Sequence, residues 1–460
     1  MRALIFGLAA LAACAGAPAS NAADPGPTPV CAACVKANME RLAGDELRGR
    51  KCGSADEAAA ADFIIAQLRA AKVAGAFAGG GYIQSVPLLT PTYAAPPVLE
   101  ISAGGAPTRL VNGQDMVLTD PPPALEAPML RVKDPRAAGA AAVGKLVVYD
   151  SGEYDAGGIA MLAAAGAIGV VSPANPRILA AWDQIAARPP GPTEVGGAPP
   201  PSPVRTTMVV LVKPDVMEAL RALDGGVARL DARRGPDLLR TTHNVMGVIQ
   251  GGDADADRHA VLLSAHYDHL GVRGGVIYHG ADDDASGTAA VLEFARILGS
   301  GARPNRTVYF GLFGCEEEGE LGAEYFRTHA PMALSDLSAN LEFEMIGVVD
   351  PNRPGVLMMT GWERSNLGPA LKAHGAQVGP DPYPKEDFFR RSDNYQLAQK
   401  GVVAQTVSAW PLTPTYHSPT DDLAHVDMAF MDEVIGSLVG PVAWLVNSDF
   451  QPAWNPGMQP

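Results

Sequence analysis

Basic residues are scarce in this chain: 35 lysines and arginines stand against 50 aspartates and glutamates over 460 residues, a net charge of −15. That imbalance argues against nucleic acid or an anionic membrane surface as the main partner. No apolar run after the first residues reaches membrane-spanning length free of charge, so no membrane span is expected and the mature protein should be soluble or lipid-tethered. Internal repeats are absent, and cysteine is limited to five residues. With 47% hydrophobic and 18% charged residues, the composition is that of a folded chain rather than a disordered one. Its length allows two or three domains.

Met1-Arg2 is followed by an apolar run from Ala3 to Ala13 and then by small residues. This reads as an export signal over residues 1–23. Leu11-Ala-Ala-Cys14 resembles a lipoprotein box in which Cys14 would be lipidated, whereas Ser20-Asn-Ala22 suits an ordinary signal peptidase. Both stay open, and the expected location is periplasmic or secreted, including an outer-membrane-anchored lipoprotein. In an exported chain, Cys52 is expected to pair with Cys31 or Cys34. Cys315, alone in sequence, is expected to be a buried thiol.

Helical apolar spacing marks Val35 to Leu42 and Ala58 to Ala71, with the loop Glu46-Leu-Arg-Gly-Arg50 between them. Residues 24–114 are taken as one N-terminal part and residues 115–240 as a separate, β-rich module. Its signals are the strands Lys145–Tyr149, Ile168–Val171 and Met208–Val212, the helices Ile159–Ala165 and Val216–Leu223, and a Pro/Gly-dense run from Arg188 to Pro203. That run suits neither helix nor central strand. The module holds no set of histidines and acids and reads as a binding or lid domain. From 241 to 450, strand-like runs (Val245–Ile249, Val261–Ala265, Thr307–Phe313, Val402–Val407) alternate with helix-like ones (Ser286–Leu298, Leu321–His329). Such alternation implies an α/β three-layer sandwich with a largely parallel mixed central sheet. A Pro-rich tail, 451–460, closes the chain.

The acids and histidines of this last part fall at strand ends, where ligands collect in such sheets. Ser264-Ala-His266-Tyr-Asp268 closes one strand, and Gly314-Cys-Glu316-Glu317-Glu318 closes another. Asn340-Leu-Glu342-Phe-Glu344 closes a third, Asp282-Asp283-Asp284 precedes a helix, and Tyr416-His417-Ser-Pro lies in a turn. Zinc takes imidazole nitrogen and carboxylate oxygen. A pair of metals about 3.5–4 Å apart needs a bridging carboxylate. Asp268, two residues beyond His266 on one strand face, is placed to orient that imidazole. Each segment alone has a blander reading: aspartates before a helix are usually caps, and three glutamates are usually a solvated face. Their gathering at one edge, directly after apolar strands where an uncompensated carboxylate is costly, favours a metal centre.

Ala265-His-Tyr-Asp-His-Leu-Gly271, Gly280-Ala-Asp-Asp-Asp-Ala-Ser-Gly287, Glu316-Glu317 with Gly319 and Leu321-Gly322, and Tyr416-His-Ser-Pro419 together resemble the co-catalytic zinc aminopeptidase family. Residues 115–240 resemble the protease-associated domain often inserted in its members. The resemblance implies two zinc ions and peptide substrates. His266 and Glu344 would hold one zinc, Glu317 and His417 the other, and Asp283 would bridge them across a bond to Asp284 that is often cis. Glu316 would be the general base, with Asp268 behind His266. Tyr416, Asp393 and Arg391 would face the substrate. Glu344 stands where the family usually has Asp, with Glu342 as its rival, and Asn394 stands where it usually has His. His269, His279 and His425 are left as structural. An aminopeptidase is the expectation. A carboxypeptidase or dipeptidase of the same fold, a glutaminyl cyclase and a non-catalytic receptor-like domain are the alternatives.

Overall fold

The computed structural model describes residues 28–197, 207–223 and 225–460. The expected export signal, Cys14 and the end of the Pro/Gly-dense run lie outside the described residues.

Two sheets organise the chain. The larger has four parallel neighbours at its centre. Using labels in chain order, β1 is Ile83–Thr90, β2 Leu238–Ile249, β3 Ala260–His266, β4 Val308–Phe313, β5 Leu337–Phe343 and β6 Val403–Ser408. The order β6-β5-β3-β4 is parallel throughout. It continues antiparallel through β2 and β1 and ends on a two-residue strand, Glu194–Val195, paired with β1. On the other side Leu357–Met359 and Val378–Pro380 extend it. The sheet is therefore mixed, with a parallel core, as expected.

Side chains along β3 alternate between two cores, as a strand buried on both faces requires. Val261, Leu263 and Ala265 join a cluster built from α1 (Ala32–Leu42), α2 (Ala55–Ala70), α3 (Gly287–Ser300) and α5 (Met428–Asn447). Ala260 and Leu262 point the other way, to Phe326 of α4 (Leu321–His329) and to Leu397. Helices on both faces make three layers. Ile64 and Leu68 of α2 are fully buried, each worth roughly 1.5–3 kcal/mol of apolar transfer. Ser54 caps α2 by accepting the Glu57 N–H at 3.1 Å. Among the described residues α5 is the one helix long and apolar enough to cross a membrane. Met431, Val434, Ile435 and Leu438 of this helix are nevertheless wholly buried in the protein core.

The second sheet has eight strands and a core of its own, including Leu99, Met116, Val148, Val171 and Val210. Its first strand, Val98–Ser102, begins ahead of the boundary placed at 115. Short strands separated by Gly and Pro carry too little periodicity to be separated from loops. Its last strand, Val227–Asp231, leads into β2.

Candidate metal centre at the strand ends

The disulfides differ from expectation. Cys31 pairs with Cys34 on the first turn of α1, and Cys52 pairs with Cys315, their Cα atoms 4.8 Å apart. Cys315 is thus not a free thiol. Residue spacing could not reveal this, because the two cysteines are 263 residues apart and meet only in the folded chain.

Three strand ends and two loops converge beyond β3, β4 and β5. His266 ends β3, buried to 0% exposure, and its Nε2 lies 3.2 Å from Asp283 Oδ1. The other oxygen of Asp283 lies 3.3 Å from His417 Nε2, which is also 3.0 Å from Glu317 Oε2. Asp283 therefore stands between the two imidazoles. Its peptide bond to Asp284 is cis. Donor atoms of His266, Asp283 and Glu344 lie within 4.8 Å of one another, and so do those of His269, Asp283 and Glu317. Glu342 joins neither set; it is fully buried, with both carboxylate oxygens lacking a hydrogen-bond partner among the described residues.

The sequence reads His269 as structural, yet its Nδ1 lies 2.6 Å from Glu317 Oε1 and the side chain is buried. Its place in the strand-end run His266-Tyr-Asp268-His269 was the available signal. Two imidazoles, His269 and His417, thus flank Glu317, their rings 5.9 Å apart.

The ring nitrogens of His266 and His269 and Glu317 Oε1 are buried. Although His269 lies close to Glu317 and His266 to Asp283, these atoms make no well-directed hydrogen bond among the described residues. Buried polar atoms are rarely left so, and this set of nitrogens and carboxylate oxygens suits zinc. Charge tells the same story. Burial alone would raise the Asp283 carboxyl, but the imidazoles of His266 and His417 hold it below its usual range. Burial pushes Glu344 up to about 7 and Glu316 well above the usual range. A divalent cation placed among these carboxylates would favour their ionised forms.

Neighbouring groups position these side chains. Asp268, fully buried, accepts the main-chain N–H of Glu316 at 2.9 Å and of Glu317 at 3.4 Å, and faces His266 Nδ1 at 3.7 Å. Asp421, unnoticed in the sequence, accepts the N–H groups of Asp282 and Asp283 at 2.8 and 3.2 Å. Arg50, from the loop before α2, is completely buried. It donates to the carbonyls of Tyr267, His279 and Gly280 at 2.7, 2.7 and 3.0 Å, tying the β3 end to the Asp283 loop. Cys315, Met345 and His417 all have positive φ, at 60°, 52° and 51°. Each such non-glycine residue costs on the order of 1–2 kcal/mol, and together they turn the chain sharply where the donors sit.

A small pocket opens beside Glu344, lined by Met345, Met358, Phe388, Arg391 and Tyr416, among others. Arg391 and Tyr416 border it, as a substrate-facing role requires. Asp393 does not: it is fully buried, with neither oxygen hydrogen-bonded among the described residues. The correction follows from chain direction, since Asp393 begins the helix Asn394–Ala398 packed against β6.

Residues 244–439 match the family described as Peptidase family M28. The leupeptin-inactivating enzyme 1 of Streptomyces exfoliatus is 26% identical over 213 residues, covering 42% of this chain and 46% of that enzyme. The chain spans about half the length of such curated relatives. An aminopeptidase from an Aneurinibacillus strain has the same fold, with a TM-score of 0.58, 19% identity, and 92% of this chain and 95% of that one covered. The zinc aminopeptidase BSAP from Bacillus subtilis superposes with a TM-score of 0.56 at 20% identity, covering 92% and 96%.

Proposed function

We propose that the chain is a zinc-dependent exopeptidase, an aminopeptidase releasing residues from peptide N-termini, a reading supported by the match of residues 244–439 to peptidase family M28. The observation that carries this reading is the pair of donor clusters sharing Asp283, with Glu316 Oε2 at 3.9 Å from His266 Nε2. In it, His266 and Glu344 would hold one zinc and Glu317 and His417 the other, with His269 beside Glu317 and Asp283 shared between the two sets.

Zinc in such a site supplies a Lewis acid for the scissile carbonyl and makes water acidic near neutral pH. Glu316 takes the proton of the attacking water and returns it to the departing amine. Asp268 fixes the main chain of Glu316 and Glu317. Arg391 and Tyr416 border the pocket that receives the substrate. The surplus of carboxylates, including Glu320, pushed up to about 7 by burial, favours a substrate that brings a free amine. The Val98–Asp231 sheet fits a protease-associated insert, and the first residues fit export to the periplasm or beyond, with a lipid anchor on Cys14 as one form.

The test is hydrolysis of a panel of aminoacyl-p-nitroanilides before and after chelation and zinc restoration. Chelator-sensitive release regained with zinc supports the aminopeptidase. Inactivity of protein carrying two zinc ions turns the reading to a carboxypeptidase or dipeptidase.

A further inference from the structure

The third glutamate of the strand-end run is bound into a brace of its own. Arg240, on β2, meets both carboxylate oxygens of Glu318: its Nη2 pairs with Oε2, and its Nη1 lies 3.3 Å from Oε1. The same Nη1 donates to the Cys52 carbonyl at 3.1 Å. Nε and Nη2 reach Thr90 Oγ1 at 3.2 and 3.0 Å, and Nη2 reaches Thr193 Oγ1 at 3.1 Å. The whole donor fork of the guanidinium is therefore occupied. Arg240 and Glu318 side chains are 19% and 25% exposed, so water screens this pair less than a surface one.

The placement gives the brace its meaning. Glu318 directly follows Glu316 and Glu317. Cys315, directly before them, is bonded to Cys52, whose carbonyl Arg240 also holds. Arg240 thus grips the run on both sides. Asp268 holds the Glu316 and Glu317 N–H groups from within, so the segment is fixed at each end and in its middle. Thr193 comes from elsewhere. It precedes the Glu194–Val195 strand, which leaves the second sheet's part of the chain to pair with β1. Its hydroxyl lies 3.0 Å from Thr90 Oγ1 and 3.2 Å from Glu318 Oε2. The inserted segment therefore supplies one wall of the brace.

We propose that Arg240 is a positioning residue for Glu316 and Glu317, acting through Glu318, and that Thr193 makes the inserted segment part of the catalytic edge. The role rests on the peptidase reading above, in which Glu316 is the base and Glu317 a metal ligand. A bidentate guanidinium–carboxylate pair fixes direction as well as distance. Loss of such outer support typically lowers activity or metal affinity about 10–100-fold.

Arg240→Met, Arg240→Lys and Thr193→Val are compared with wild type, and Arg229→Met serves as control, since Arg229 pairs with Glu126 on the exposed face of the second sheet. Arg240→Met is expected to lower kcat by about 10-fold or more with KM within about twofold. At full occupancy, its cobalt(II)-substituted form should also have an altered visible spectrum. Arg240→Lys keeps the charge without the fork and should fall between. Thr193→Val should move kcat and spectrum in the same direction by less, and it tests the brace even if Arg240→Met does not fold. Variants that melt earlier but keep wild-type kcat and cobalt spectra would overturn the proposal, leaving a merely structural ion pair. If wild type hydrolyses no aminoacyl substrate, the aminopeptidase reading falls, and the cobalt spectra still decide whether Arg240 shapes the metal-binding edge.

Discussion

The Asp268 carboxylate accepts the main-chain N–H of Glu316 at 2.9 Å, so the residue that follows His266 by two positions also aims the proposed base. It sits without exposure between the ends of β3 and β4. Asp268→Asn keeps the shape but offers one acceptor oxygen where two N–H groups and an imidazole meet. We expect kcat to fall by about 10–100-fold, the range for outer supports of metal ligands, with little change in melting temperature. Steady-state kinetics beside a thermal melt decide it. A variant with wild-type kcat would remove Asp268 from the machinery.

Glu316 and Asp283 separate two roles. Glu316 is in neither donor cluster, whereas Asp283 is in both. Glu316→Gln should lose turnover while zinc content, measured by plasma emission, stays near wild type. Asp283→Ala should lose zinc and activity together. An active Glu316→Gln protein, or a fully loaded Asp283→Ala protein, reverses the assignment.

How much of this was legible beforehand depends on distance along the chain. Strands such as Val261–Ala265 were readable because both faces are buried, giving continuous apolar runs. His266, Asp283 and Glu317 were readable because each sits within a few residues of such a run or of a helix start. Asp421, Arg50 and Arg240 were not. Asp421 bonds to residues 138 and 139 positions away, Arg50 to residues 217 to 230 positions away besides nearby Leu42, and Arg240 to residues 47 to 188 positions away, and no local pattern records that. The same holds for Cys52 and Cys315, 263 residues apart. Asp393 shows the opposite limit: its motif places it near the site, and only the packing shows that it is fully buried and does not line the pocket beside Glu344.

The Cys52–Cys315 disulfide joins the loop before α2 to the residue preceding Glu316. Replacing both cysteines by serine should destabilise the protein by about 2–4 kcal/mol, the usual worth of a native disulfide. It should also lower kcat, because the Glu316–Glu317 run loses one of its anchors. The Cys31–Cys34 pair closes only one helical turn at the far end of α1, and its removal should leave kcat unchanged. Calorimetry and kinetics on the two double variants test the contrast, and peptide mapping without reductant checks the pairing.

Glu57 gives the clearest pH signature away from the donor clusters. Its side chain is fully buried, and it accepts the Thr242 hydroxyl and the Gly53 N–H, the latter at 2.7 Å. Burial first, and the Asp268 charge second, push it up to about 8. The protonated carboxyl is therefore the form the fold accommodates. Below an unfolded value near 4.5 both states are protonated and nothing is lost. As pH rises from there through about 8, the unfolded chain gives up its proton more readily, and folding stability declines. The full difference is on the order of 5 kcal/mol. Glu57→Gln removes the titration while keeping the shape. Its melting temperature relative to wild type should therefore be higher at about pH 9 than at about pH 5. Melts at the two pH values measure this directly. A difference that is flat with pH would mean that Glu57 is ionised in the fold, stabilised by Thr242 and Gly53 despite its burial.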